Sequence, residues 1–337
     1  MYKISLITGD GIGPELSESV MEILSAVHDK LNVNLDVTPL VAGDAALDKT
    51  GSALPDDVFE TIKKSDACLK APVGESAKDV IVSLRQKLDL YANIRPAKSY
   101  PNTPALRDDI DLVIVRENTE DLYTGQEFQV DDTAVALRII SEKASKRIAK
   151  YAFETAIDRN QQKRVTCVHK SNVMKMTDGL FARSCQEVSK DYSDVRFDQM
   201  YVDACSMNLI RAPHEFDVIV TTNLFGDILS DESSQVVGGL GMAPAANLGD
   251  YFGLFEPVHG AAFDIAGKQI ANPSSFILSV KMMTDWLGSK NNDSVCIDAG
   301  RKLEGVVLDL IKSGITTKDI GGEKSTPEFT KEVISRL

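Results

Sequence analysis

Apolar and polar positions change period repeatedly along the chain, from strand-length runs to the three-to-four spacing of a helix and back. Lys3–Thr8 is a strand-length apolar run. Gly13–Leu31 follows it with Leu16, Val20, Ile23, Leu24 and Val27 on one helical stripe. Leu35–Leu40 predicts a second strand, Asp57–Lys64 a helix and Ala67–Lys70 a third strand. Asp111–Val115, Arg164–His169 and Asp217–Thr221 predict further strands, each trailed by a helical pattern. This alternation belongs to an α/β architecture around a largely parallel sheet. Neither an internal repeat nor a low-complexity tract interrupts it.

Two segments break the rhythm. Arg95–Asp109 carries Pro96, Pro101 and Pro104, and Gly238–Gly249 carries four glycines and Pro244. As crossings between two lobes, they join residues 1–97 and 239–337 into one lobe and leave 98–238 as the other. Ligands are then expected in the intervening cleft.

Length and composition narrow the class. A chain of 337 residues suits roughly two domains. Its 43% hydrophobic and 26% charged residues exclude a disordered, fibrous or disulfide-scaffold protein. With 37 basic against 50 acidic residues the net charge is −13, which argues against general binding to nucleic acid or anionic membrane. An anionic ligand must therefore meet a local cluster of basic side chains. Cys68, Cys167, Cys185, Cys205 and Cys296 are scattered and never spaced C-x-x-C, as expected of free buried thiols in a reducing compartment. Asp10 falls where a signal peptide needs its apolar region, and no apolar run approaches the roughly 18 residues of a membrane span. A cytoplasmic location is the expectation.

Several short stretches could carry chemistry. Gly9-Asp10-Gly11-Ile12-Gly13-Pro14-Glu15 lies between a strand and a helix, and Asp36 follows about 20 residues on, as a ribose-binding acid would. Pro14, however, occupies the place of the third glycine of a dinucleotide fingerprint, so a tight turn with proline near the helix start explains the motif as well. In Asn223–Glu232, Asp227 and Asp231 are four apart and share a helix face, where two carboxylates call for a proton or a hard cation such as Mg²⁺ or Mn²⁺. A solvated acidic face is the alternative. Arg85, Arg95 and Arg116 are either surface ion-pair partners or converging forks for a polycarboxylate. Tyr123, after the Asp111–Val115 strand, is either a packing residue or a general acid tuned by a neighbouring cation. Lys170 stands at a strand end, as a surface charge or an active base.

Read together, six motifs resemble the β-decarboxylating dehydrogenases, the family of isopropylmalate, isocitrate and homoisocitrate dehydrogenases. They are GDGIGPE (9–15), LRQKLDLYANIRP (84–96), RENTEDLYTG (116–125), HKSNVMKMTDG (169–179), NLFGDILSDE (223–232) and EPVHGAAFDIAGKQIANP (256–273). They span essentially the whole chain in the family's order, and are most like those of the archaeal isopropylmalate branch. The resemblance implies that family's two-lobed α/β fold with a cleft between the lobes and a dinucleotide site unlike the ordinary Rossmann one. It makes 1–97 with 239–337 the NAD-binding lobe, and 98–238 the lobe of metal ligands and dimer contacts. It further implies Arg85, Arg95 and Arg116 on the malate carboxylates, with Tyr123 and Lys170 as catalytic residues. Asp203, Asp227 and Asp231 would then bind Mg²⁺ or Mn²⁺. In the family the lysine and the first of these aspartates come from the neighbouring subunit, so a homodimer, alone or paired into tetramers, is the smallest complete enzyme.

The implied reaction removes the C2 hydroxyl proton to a neutral Lys170, passes hydride to the nicotinamide and expels CO₂, after which Tyr123 protonates the enol carbon. Lys170 needs a depressed pKa for this, which metal and arginine charge would supply. NAD is expected rather than NADP. Asp264-Ile265 stands where NADP-dependent isocitrate relatives have a lysine and a tyrosine, and a carboxylate there accepts from both ribose hydroxyls and repels a 2′-phosphate. His259, Gly260 and Asn272 should line the same pocket. Ile81 and Val82, with Val173 of the neighbouring subunit, would form an apolar wall that suits an isopropyl group and leaves a third carboxylate unpaired. Lys78 and Asp79 complicate that choice, because Lys78 would reach a longer diacid such as homoisocitrate. The expectation is an isopropylmalate enzyme, with homoisocitrate or isocitrate as the alternative substrate. A non-catalytic regulatory subunit would be expected to lack some of these groups.

Overall fold

The computed structural model describes every residue, 1–337. In chain order the strands are β1 (Tyr2–Ile7), β2 (Leu35–Leu40), β3 (Ala67–Lys70), β4 (Ala92–Lys98), β5 (Asp111–Glu117), β6 (Glu127–Val130) and β7 (Thr133–Ala136). They continue as β8 (Arg164–His169), β9 (Arg196–Tyr201), β10 (Val218–Thr221), β11 (Pro244–Leu248) and β12 (Gly253–Pro257). Ten of them make one sheet in the order β2-β1-β3-β12-β11-β4-β5-β10-β8-β9, while β6 and β7 form a separate exposed hairpin. The elements predicted from periodicity appear with ends shifted by at most one or two residues.

The sheet is parallel on both flanks and antiparallel in the middle, where β12 pairs with β11, β11 with β4, and β4 with β5. The two proline- and glycine-rich segments read as crossings are themselves partly strand. Arg95–Lys98 belongs to β4 and Pro244–Leu248 is β11, and the two strands are neighbours at the sheet's centre. Proline is tolerated at Pro244 because it opens its strand, and Pro39 sits on the edge strand β2.

Register then decides what the centre presents. Asn93 on β4 stands opposite Arg116 on β5 and opposite Asn247 on β11, so three polar residues form a row across three neighbouring strands. Arg95, two residues after Asn93, points to the same face. Helices bury the rest. Gly13–Leu31 packs Leu16, Val20, Ile23, Leu24 and Val27 into the main core, together with Phe276, Ile277 and Val280 of helix Ser274–Asn291 and Phe329 of helix Thr326–Arg336. All five cysteines are free and buried. No helix is long and apolar enough to cross a membrane.

Candidate active site

The three arginines named from sequence converge, and each is anchored in the same way. Arg85, on helix Ala77–Lys87, donates Nε to Asn247 Oδ1 at 2.9 Å. Arg95 donates Nε to Asn93 Oδ1 at 3.0 Å, and Arg116 donates Nε to Asn223 Oδ1 at 2.9 Å. The asparagines are locked in turn. Asn93 and Asn118 both donate to Asn247 Oδ1, at 2.9 and 3.0 Å, and Asn247 donates to Glu256 Oε1 at 2.8 Å. With Nε consumed by these contacts, the terminal nitrogens are left for acids. Arg116 Nη2 is buried without a partner, in a side chain 1% exposed. An unpaired guanidinium nitrogen in so dry a place is costly unless an incoming acceptor meets it.

Helix Asn223–Val236 follows directly on β10, and its four-residue spacing puts Asp227 and Asp231 on the face toward the arginines. Arg116 Nη1 and the Tyr123 hydroxyl both donate to Asp227. Arg95 lies 3.5 Å from Asp227 and 3.3 Å from Asp231, and donates to Ser230 Oγ at 2.7 Å. Gly226 makes this approach feasible, since a Cβ there would fall 2.5 Å from the Arg116 side chain. Burial would raise the Asp227 pKa, but Arg116 and Arg95 outweigh it and hold the carboxylate below its usual range. Asp231 moves the other way, raised by burial with Asp227 adding to it against the pull of Arg95. Burial also raises the Tyr123 pKa. The Arg116 guanidinium, 5.0 Å over its ring, opposes this but is outweighed once the bond to Asp227 is added. Tyr123 is therefore a protonated phenol at neutral pH, not one lowered by its cation as the sequence reading required for a general acid.

These groups open onto a cavity of about 480 Å³. Arg85, Arg95, Arg116, Tyr123 and Asp227 line it together with the apolar Ile81, Val82, Leu122 and Leu224. Lys78 also lines it, whereas Asp79 is exposed outside. Sequence reasoning missed Lys70 and Glu256, which pair at 2.8 Å in the wall. Burial acts to raise the Glu256 pKa, but Lys70 and Arg85 bring it down to about 2. Burial and repulsion from Arg116 lower Arg85 to about 10. A second cavity of about 420 Å³, lined by Ile12, Leu240, Ile265, Asn272 and Asp319 among others, shares His259 and Gly260 with the first. Asn272 donates to Asp319 at 2.9 Å. Asp264 is exposed on the loop between two residues of that wall, Ala262 and Ile265, but is not itself part of it.

Three residues named from sequence lie elsewhere. Lys170 Nζ pairs with Asp203 rather than with the cavity groups, and that bond keeps the Asp203 carboxylate low. Val173 is 67% exposed and lines neither cavity. One chain accordingly brings no three acidic, histidine or cysteine groups together as a metal site. Asp36 is exposed on edge strand β2, and the turn at 9–15 is local architecture, with Asp10 accepting from the backbone of Asp44, Ala45 and Gly74. Asn93 and Asn223 were legible only as letters inside the motifs. Asn247 carried no local signal.

Basic forks meet a carboxylate pair in a cavity that shares His259 and Gly260 with a second one, an arrangement able to bind an acidic ligand. The family model described as isocitrate/isopropylmalate dehydrogenase matches residues 3–333. The 3-isopropylmalate dehydrogenase of Saccharolobus solfataricus is 50% identical over 334 residues, covering 98% of each chain. The homoisocitrate dehydrogenase of Methanocaldococcus jannaschii is 43% identical over 354 residues, covering 100% of this chain and 98% of the other. A crystal structure of isocitrate dehydrogenase from Methylococcus capsulatus superposes with a TM-score of 0.93 at 40% identity, over 100% and 99% of the two chains. The chain belongs to the isocitrate/isopropylmalate dehydrogenase family.

Proposed function

We propose that the protein oxidises and decarboxylates 3-isopropylmalate to 4-methyl-2-oxopentanoate with NAD and Mg²⁺ or Mn²⁺, a step of leucine biosynthesis in the cytoplasm. The observation that carries this is the composition of the larger cavity. Its lining combines three anchored arginines with the hydrocarbon of Ile81, Val82, Leu122 and Leu224. An isopropyl group gains from such a wall, whereas a third carboxylate set against it would lose its hydration uncompensated.

The donor chemistry fits a hard divalent ion. Asp227 and Asp231 are all-oxygen ligands on one helix face, and Asp203 of a second copy would complete them. The second cavity fits the adenosine portion of NAD, with His259, Gly260, Ile265 and Asn272 in its wall and exposed Asp264, next to Ile265 in the chain, to meet the ribose. When bound, the ion supplies Lewis acidity at the C2 oxygen and NAD supplies the hydride acceptor. The rest falls to the chain's own groups. Terminal nitrogens of Arg85, Arg95 and Arg116 bind the malate carboxylates, with Arg116 Nη2 finding its acceptor there. Lys170 Nζ of a second copy takes the C2 hydroxyl proton. Tyr123, kept protonated by burial, gives its proton to the enol carbon once CO₂ has left. In this reading residues 1–97 with 239–337 form the cofactor lobe, and 98–238 carries the metal ligands and the homodimer surface.

Lys78, in the cavity wall, favours a second reading in which a homoisocitrate-like diacid reaches the site. Initial rates with NAD on 3-isopropylmalate, homoisocitrate, isocitrate and D-malate separate the two. We expect the highest kcat/KM on 3-isopropylmalate. Preference for a tricarboxylate would install the second reading, and no turnover on any would remove both.

A further inference from the structure

The glycine-rich turn at 9–15 touches no substrate group, yet it is bound tightly to the loop beside the second cavity. Ile12 donates its backbone N–H to Ala261 O at 2.8 Å. Gly11 takes φ +57°, and a Cβ there would lie 2.1 Å from the same carbonyl oxygen, so only glycine permits the approach. Glu15, on the first turn of helix Gly13–Leu31, is 6% exposed and reaches across to the loop's far end. Its Oε2 accepts the backbone N–H of Gly267 at 3.0 Å and of Gln269 at 3.3 Å. The loop it holds is strained. Ala262, Gly267 and Gln269 all have positive φ, at 41°, 74° and 56°, and two of these are not glycine. Such backbone persists only where its surroundings enforce it.

We infer that Glu15 is a positioning residue for cofactor binding, whose carboxylate fixes the 261–269 loop in the shape that the nucleotide's ribose and base require. This rests on reading the second cavity as the NAD pocket. Ile265, in that wall, and its chain neighbour Asp264 lie between the two points where the turn grips the loop. Without the far grip, binding must first order the loop, and affinity falls by that ordering cost. The remaining carboxylate oxygen, Oε1, has no partner, so only one oxygen of Glu15 carries the clamp. A glutamine keeps an accepting oxygen, and an alanine does not.

The test compares Glu15→Ala and Glu15→Gln with the unaltered enzyme by amide hydrogen exchange and by equilibrium binding of NAD and NADP. In Glu15→Ala we expect faster exchange at Gly267 and Gln269 with β12 unchanged. We also expect a rise of about tenfold in the Kd for NAD, the loss of a charge-assisted hydrogen bond. The same rise should appear in the KM for NAD, with kcat at saturation within about twofold because no reacting group is touched. Glu15→Gln should restore most of the protection and the affinity. Deprotected amides with unchanged NAD affinity would overturn the inference, as would unchanged exchange in Glu15→Ala. If the unaltered enzyme binds NADP and not NAD, the cofactor reading fails, while the clamp still stands or falls on the exchange data.

Discussion

Asn247 shows how a residue without charge controls a charged site. Its Oδ1 accepts from Arg85, Asn93 and Asn118, and its Nδ2 donates to Glu256, all of them buried. Asn247→Ala orphans several buried donors at once, each costing about 1–3 kcal/mol. The expected outcome is a fall in melting temperature together with a loss of about tenfold or more in kcat/KM, mainly through the KM for the acidic substrate. Steady-state kinetics beside thermal unfolding checks both. An intact KM in a destabilised variant would mean that the asparagine serves only the fold. At this scale the sequence was legible where a residue type announces its chemistry, as with Arg85, Arg95, Arg116, Asp227 and Tyr123, all brought to one cavity. It was silent on Lys70 and Asn247, whose partners Glu256 and Arg85 lie far away in the chain and come near only once the sheet forms.

The flanking elements were readable because a buried parallel strand is a continuous apolar run, as in Val218–Thr221, and the helices after them show an apolar stripe. The centre was not. β4 and β11 carry asparagine, arginine and proline, which signal loops locally, because this part of the sheet is built to hold the site rather than to fill the core. Glu256 on β12 accepts from Lys70 at the end of β3 and from Arg85, so it joins the central strands electrostatically. Its carboxyl is lowered from the ordinary 4.5 to about 2 in the folded protein. A depressed acid stabilises the fold at pH above its unfolded value, and that contribution is lost as pH falls through the folded value. Between about pH 5 and pH 2, denaturant unfolding should therefore show a declining stability that Glu256→Gln flattens. An identical acid limb in that variant would place the loss elsewhere.

For the whole molecule, one surface remains unexplained by a single chain. Val173, Met176 and Ile228 are 67%, 82% and 58% exposed, and Tyr201, Met207 and Ile210 are exposed as well. Met207 and Ile210 share helix Val202–Arg211 with Asp203. Ile228 shares its helix with Asp227 and Asp231, and the two helices pack together. Exposed apolar side chains beside Asp203, Asp227 and Asp231 are what the proposed homodimer requires of its contact face. In the proposed dimer, Lys170 and Asp203, which pair with each other outside the cavity of their own chain, would serve the site of the second copy.

The central claim is thus that Tyr123 of one copy works with Lys170 of another. Tyr123→Phe and Lys170→Met homodimers should each be nearly inactive. Co-expressed in equal amounts, they assort so that half the dimers are hybrids, each with one intact site and one doubly altered site. Activity with 3-isopropylmalate and NAD should then recover to about one quarter of the unaltered enzyme. A mixture containing hybrids that stays as inactive as its parents would contradict the account, because it would mean that each chain closes its own site.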